Sequence, residues 1–322
     1  MRSLTAGLLA GALLVAGCGG GSDNEGTGSR DRPAPDPSEF PAADGRPLEQ
    51  VLSAATGEGP VVSPAAQVLR LGKNRFPFGV FTLDREQVTD AQVAIYAAPG
   101  AGLKGPAIGP FTARIEDLTT EPAFRAKTTS DDPDAAQVAY VTEIPLNKAG
   151  AWSFGALTKE GDSYTGSLLP TPSKVGEFDP VAVGDPAPRV STPTADEAPI
   201  GEIDTREPPD SMHDTDLADV LGEKPVVLLF ATPALCQTRV CGPVVDAEEQ
   251  VKRDFGDDVA FIHQEVYVDN DINKGPNEQM RAYRLTSEPW LFVIDRNGKV
   301  STAIEGAFSV SELEQAVRRV AG

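Results

Sequence analysis

The sequence predicts two folded parts: an all-β domain in the middle of the chain and an α/β domain in its C-terminal third. Three observations carry this. Between Val61 and Leu169, short apolar runs with period-2 alternation are separated by turn formers, and no segment of helical period interrupts them. From Lys224 onward, continuous apolar runs alternate with amphipathic stretches. Two Pro-, Gly-, Ser-, Thr- and Asp-rich stretches, Gly19–Pro41 and Pro170–Pro208, read as linkers. The boundaries that follow are 1–17 for an export signal, 18–60 for a disordered tether and 61–170 for the β domain. Residues 171–208 follow as a linker and lead-in, and 209–322 as the α/β domain.

The chain has 322 residues, long enough for two domains that each bury a core. Asp and Glu number 48 against 28 Lys and Arg, a net charge of −20. Nucleic acids and anionic lipid surfaces both require basic patches, so neither is an expected partner.

At the N-terminus, Arg2 precedes an uncharged apolar run from Leu4 to Ala16. A membrane helix needs about 20 apolar residues, so this run fits a signal peptide rather than a span. Leu14-Val15-Ala16-Gly17-Cys18 resembles the lipobox of bacterial lipoproteins. The resemblance implies cleavage before Cys18 and lipid attachment to its sulfur, hence a cell-membrane anchor facing outside the cytoplasm. Of three cysteines, Cys236 and Cys241 then remain as the sole pair.

The expected strands of the β domain are Ala66–Leu71, Phe76–Thr82, Ala91–Ala97, Phe111–Glu116, Gln137–Ile144, Ala151–Thr158 and Tyr164–Leu169. About seven strands in about 110 residues fit an immunoglobulin-like antiparallel sandwich. Ala98-Pro99-Gly100, Asp131-Asp132-Pro133 and Lys148-Ala149-Gly150 supply turns. Phe76, Phe78, Phe81, Trp152 and Phe154 are expected in its core. The domain contains no histidine or cysteine, and it reads as a spacer or a partner-binding module.

In the C-terminal part, Val226–Ala231 is a strand buried on both faces and Val244–Phe255 a helix stopped by Gly256. Val259–Val268 is a strand, Asn277–Leu285 a short helix and Trp290–Ile294 a buried strand. Arg296-Asn297-Gly298 turns this strand into Lys299–Ala303. Ser309 and Glu312 form a capping box for the last helix, whose apolar face is Val310, Leu313, Val317 and Val320.

The order strand, cysteines, helix, strand, helix, Pro-led strand, strand, helix resembles that of thioredoxin-like proteins. The segment Val183-Gly184-Asp185-Pro186-Ala187-Pro188 resembles the opening of redoxin domains. The resemblance covers 181–322. It implies that Pro289 is cis and that Glu288, Pro289 and Trp290 lie beside the cysteines as substrate-binding residues. It also implies a thiol-disulfide oxidoreductase with Cys236 and Cys241 as catalytic residues and no cofactor or metal. The expected partners are exported thiol or disulfide proteins, or a redox donor protein.

The chemistry suits the placement. A helix N-terminus favours a thiolate, the nucleophile of disulfide exchange, and a nearby second cysteine resolves the mixed disulfide. Yet the pair is separated by four residues, Gln237-Thr238-Arg239-Val240, where thioredoxins have two, and Cys241-Gly242-Pro243-Val244 resembles a Cys-Gly-Pro-Cys motif without its last cysteine. Either cysteine can be the nucleophile in these registers; Cys236 is preferred, with Cys241 resolving.

Three other readings stand beside this one. The pair is a structural disulfide in a non-catalytic binding module. Or the chain is a thiol peroxidase, since Cys-x4-Cys-Gly resembles one peroxiredoxin type, although Thr238 and Pro233 fit its motif out of step. Or it is a copper chaperone of the Sco type, which uses a distant histidine. Only His213 and His263 exist; His263 is expected early in its strand, away from the cysteines, and His213 in a loop. Arg239 either lowers the thiol pKa or faces solvent.

Overall fold

The computed structural model describes Met1 and residues 30–169, 173–236 and 238–322. The expected lipobox and Cys18 lie outside the described residues, as does Gln237 between the cysteines. Among the described residues no helix is long and apolar enough to cross a membrane.

The expected free tether does not extend to residue 60. The chain is already paired at Arg32, whose amide donates to the Ile115 carbonyl at 3.0 Å, and helix α1 (Leu48–Leu52) is docked on the β domain. Phe40, Ala43, Leu48 and Val51 share a buried cluster with Ala94, Ala98 and Leu157. Small residues on the sheet make this seat. A Cβ on Gly155 would come within 2.7 Å of Leu52 Cδ1.

Ten strands follow: β1 (Gly57–Glu58), β2 (Val61–Pro64), β3 (Gly72–Phe81), β4 (Gln92–Pro99), β5 (Ile108–Thr112), β6 (Arg114–Asp117), β7 (Val138–Leu146), β8 (Gly150–Glu160), β9 (Ser163–Leu168) and β10 (Ser173–Val175). The short helix α2 (Lys127–Ser130) lies between β6 and β7. One sheet has the order β1-β9-β8-β4-β5, with β10 also on β8; the other has the order β2-β3-β7-β6. Every pairing is antiparallel except β1 with β9. Phe76 of β3 stacks on Phe154 of β8 with ring centres 5.1 Å apart, joining the two sheets through an apolar core that also holds Phe78, Tyr140 and Trp152. Phe81 is only half-buried. The expected strand Ala66–Leu71 is absent; one isolated bridge, Leu69 to Val175, stands in its place. The expected strand Phe111–Glu116 is split, because the chain crosses from one sheet to the other at Ala113.

The C-terminal half contains α3 (Ile200–Ile203), α4 (Leu217–Val220), β11 (Val226–Phe230), α5 (Cys241–Phe255), β12 (Ala260–Gln264), α6 (Glu278–Ala282), β13 (Trp290–Ile294), β14 (Val300–Glu305) and α7 (Val310–Arg318). Its sheet order is β12-β11-β13-β14, with β11 and β12 parallel and the other pairs antiparallel. β11 is buried along its whole length because both faces are covered. Val227 and Leu229 face Val244, Val245, Leu313 and Val317 of α5 and α7. Leu228 and Phe230 face Leu217, Met280 and Tyr283 on the other side. This is the thioredoxin-like arrangement.

The stretch expected as a linker belongs to this fold. Val181, Ala187, Thr192, Asp204 and Arg206 are buried, and the amide of Gly184 donates to Val300 at 2.8 Å, covering the edge strand β14. Nor are the two halves independent. Leu118, Ala139 and Val141 of the β half share one core with Val245, Phe308 and Leu313. Glu312 accepts from Arg75 at 2.7 Å and Arg114 at 3.0 Å. The capping box is therefore half-formed: the Glu312 amide donates to Ser309 Oγ at 3.1 Å, while the Glu312 carboxylate is committed to these two arginines.

Candidate functional site

The cysteines lie where β11 gives way to α5. The chain leaves the sheet at Ala231, turns through Thr232–Leu235 and enters α5 at Cys241, with Pro243 in the first turn, where a missing N–H costs nothing. No side chain caps this helix start. A sulfur fills that role: the amide of Cys241 donates to Cys236 Sγ at 3.4 Å, and the Thr238 hydroxyl lies 3.3 Å from the same sulfur.

The two thiols are free and differ in character. Cys236 is half-buried, and its thiol is pulled down to about 5. The largest cause is a hydrogen bond from the Cys241 thiol; burial opposes it, and Thr238 with the Cys241 and Val240 amides adds to it. Cys241 is fully buried, and burial, then the neighbouring Cys236 sulfur, pushes it well above its ordinary value. The arrangement presents one thiolate ready to attack and one protonated thiol behind it.

The Glu288–Pro289 bond is cis. Glu288 is half-buried and close enough to feel the charge of Cys236; burial first, then that charge, raises its pKa. Tyr267, which sequence reasoning missed, hydrogen-bonds to Glu288, and burial raises its pKa to about 12. Trp290 does not take the expected place on a binding surface. Its ring is buried and stacks on Phe292, with its Nε1 donating to Ser287 Oγ at 3.0 Å. Pro289 is buried as well.

The β half also contributes. Asp132 binds Arg239 at 2.7 Å, and the amide of Ala136 donates to the Arg239 carbonyl at 3.1 Å. Arg239 sits at φ +62°, so these two contacts hold a backbone conformation that non-glycine residues seldom adopt. Asp132 acts most strongly on its charge, and the Cys236 sulfur adds a smaller attraction. Thr129 of α2 packs on Gly242, where a Cβ would come within 2.7 Å of its Oγ1. Asp131-Asp132-Pro133 reads as an ordinary turn, and nothing local in it signals this role.

His263 corrects the sequence reading. The strand ends at Gln264, so His263 lies near its C-terminal end, with Nε2 3.2 Å from the carbonyl of Ala231 on the cysteine side of the sheet. His213 lies beside it, ring centres 5.2 Å apart. With Asp204 and Asp210 they form a buried group of possible metal-ligating atoms.

No protein-family model matches the sequence, and no curated protein matches it. Among solved structures, the chain is similar to a thioredoxin-family thiol:disulfide interchange protein from Chlorobium tepidum TLS. That match has 23% identity and a TM-score of 0.32, covering 44% of this chain and 99% of the other. A putative thiol:disulfide interchange protein DsbE from Chlorobium tepidum matches at 20% identity and a TM-score of 0.31, with the same coverage.

Proposed function

We propose that this chain is a lipid-anchored, extracytoplasmic thiol-disulfide exchange protein that works through Cys236 and Cys241 on exported partner proteins. The observation that carries the reading is the polarity of the pair: a half-buried sulfur that receives the amide at the helix start and is stabilised as a thiolate, with a buried protonated thiol behind it. In the reducing direction, the Cys236 thiolate attacks a partner disulfide, forms a mixed disulfide and releases one partner thiolate. Cys241 then loses its proton and attacks the Cys236 sulfur, expelling the partner's second thiolate. Two electrons pass to the partner, and Cys236–Cys241 is left as a disulfide. The oxidising direction runs the same steps backwards. Glu288, whose charge both sulfurs feel, is placed to take the Cys241 proton.

The anchor rests on the segment Leu14–Cys18, and the β half is read as an immunoglobulin-like module that also walls one side of the cysteine loop. The exchange role is tested by trapping. A Cys241→Ser chain accumulates mixed disulfides through Cys236, and a Cys236→Ser chain accumulates none. Equal trapping by both variants refutes the assigned order. A Cys18→Ser variant is released from the membrane fraction if the anchor is correct.

A further inference from the structure

We infer that Asp204, Asp210, His213 and His263 form a binding site for a zinc-like divalent cation. The four residues are buried, and one donor atom from each lies within 4.8 Å of all the others. Three come from the single stretch Asp204 to His213, and the fourth from β12.

The side chain of His213 is 3% exposed, and its Nε2 has no hydrogen-bond partner. This nitrogen points between two carboxylates, 3.4 Å from Asp204 Oδ2 and 3.4 Å from Asp210 Oδ1. A tetrahedral site with bonds of about 2.1 Å has ligand-to-ligand edges of about 3.4 Å. His263 approaches the other oxygen of each of the same two carboxylates. Its Nε2 lies 3.2 Å from the Ala231 carbonyl, the outer-shell contact that orients a ligating imidazole, which turns Nδ1 inward. Nδ1 is 2.7 Å from Asp210 Oδ2 and 3.9 Å from Asp204 Oδ1. The shorter contact is bridged by a proton, which leaves as a cation enters.

The carboxylates are already fixed. Asp204 accepts from the amides of Arg206 at 2.7 Å and Asp210 at 2.8 Å, and Asp210 accepts from Met212 at 2.8 Å. Around them stand further buried carboxyl groups, and burial raises the pKa of both Glu248 and Glu265. Both oxygens of buried Glu248 and one of Glu265 lack hydrogen-bond partners, and the nearby cation Arg206 is committed to Asp246 at 3.0 Å. Two imidazoles in the ligand set select a borderline metal over calcium or magnesium, which take oxygen ligands, and the absence of sulfur disfavours Cu(I). A cleft of about 690 Å³, lined by His213, His263 and Glu265, gives access. The clamp would tie the stretch Asp204–His213 to the sheet below the cysteine loop, where Ala234 already donates to Thr205 Oγ1 at 3.1 Å.

The test uses the full chain with Cys18, Cys236 and Cys241 replaced by Ser, so that no thiol competes. After dialysis against chelator, calorimetry with Zn(II) is expected to show one site per chain. Co(II) is expected to give the strong visible absorption of a four-coordinate ion and to shift the imidazole proton signals of both histidines, the only two in the chain. His213→Gln removes a ligand while leaving an amide that can still donate to Asp204 or Asp210; it is expected to stay folded by circular dichroism and to bind Zn(II) at least tenfold more weakly. The Co(II) spectrum of the chain with His213 intact needs no such variant. Absence of one-to-one Zn(II) uptake, a six-coordinate Co(II) spectrum, or unchanged affinity in folded His213→Gln each overturns the site.

Discussion

The amide of Cys241 points at the sulfur of Cys236 across 3.4 Å. A helix start normally takes an oxygen from a capping side chain; here a thiolate five residues upstream serves instead, so the reactive group and the helix start stabilise each other. That mutual dependence yields predictions for reactivity, redox poise and stability.

The alkylation rate of Cys236 should rise with pH through a midpoint of about 5. In Cys241→Ala the largest stabilising hydrogen bond is lost, and the midpoint moves upward, each unit corresponding to about 1.4 kcal/mol. Iodoacetamide kinetics against pH measure both. An unchanged midpoint would show that the Cys241 thiol does not hold the thiolate.

Stability of the reduced protein should depend on pH in the same window. The ordinary thiol value is 9.0, and the folded Cys236 lies well below it. Between about 5 and 9 the unfolded chain therefore holds a proton that the folded chain has lost, so this contribution to stability grows as pH rises. It is lost as pH falls toward 5, by up to about 1.4 kcal/mol per unit. Above 9 the raised Cys241 reverses the sign. Denaturant melts of reduced protein, compared with the oxidised form, separate this from other groups.

A stabilised Cys236 thiolate favours the reduced form, so the disulfide should be a moderately strong oxidant. Thiol pKa values near 7 and 3.5 accompany potentials of about −270 and −120 mV, which puts this pair at about −200 mV. A glutathione titration decides. A value below about −300 mV would instead mark a structural disulfide.

Glu288→Gln should leave the attack by Cys236 intact and slow the release of partner by about 10²-fold, the usual share of a proton acceptor. Acid-quenched time courses should show the mixed disulfide persisting. Equal rates in both steps would remove Glu288 from the proton path.

At the seam between the halves, Glu312→Ala takes a carboxylate from Arg75 and from Arg114, whose side chains are 15% and 33% exposed, leaving Arg114 with Glu116 and Arg75 with the carbonyls of Glu305 and Ala307. Loss of one partner from a fully buried pair costs about 3–5 kcal/mol, and this partly wetted group should cost about 1–3. The unfolding transition should remain single, because Leu118 and Phe308 share one core. Two separate transitions would refute that coupling.

Much of the C-terminal half was legible in the sequence because its signals are local. Trp290–Ile294 is a continuous apolar run between a proline and a turn, and Ser309 stands where a cap is needed. The β domain was legible as strands through the alternation in β4 and β7. What escaped depends on partners distant in the chain. Leu48 and Val51 sit just past the Gly19–Pro41 stretch, within the segment read as a tether, and their burial depends on the small-residue seat of Ala94, Ala98 and Gly155. Asp204 and Arg206 fall in the Pro- and Asp-rich stretch that reads as a linker, while their burial depends on contacts with distant residues such as Asp246 of α5. The site was half legible: Cys236, Cys241 and Glu288 were named, but the wall formed by Thr129 and Asp132 carries no mark of its own.

The grip of Asp132 and Ala136 on Arg239 also bears on choice of partner. Under the proposed exchange role, a polypeptide arriving at Cys236 would find one flank occupied by the chain's own β half and would offer its disulfide from another side. Selectivity would then come from steric exclusion by an intramolecular neighbour, and reshaping the loop Asp131–Ala136 would widen the range of accepted disulfides without touching either sulfur.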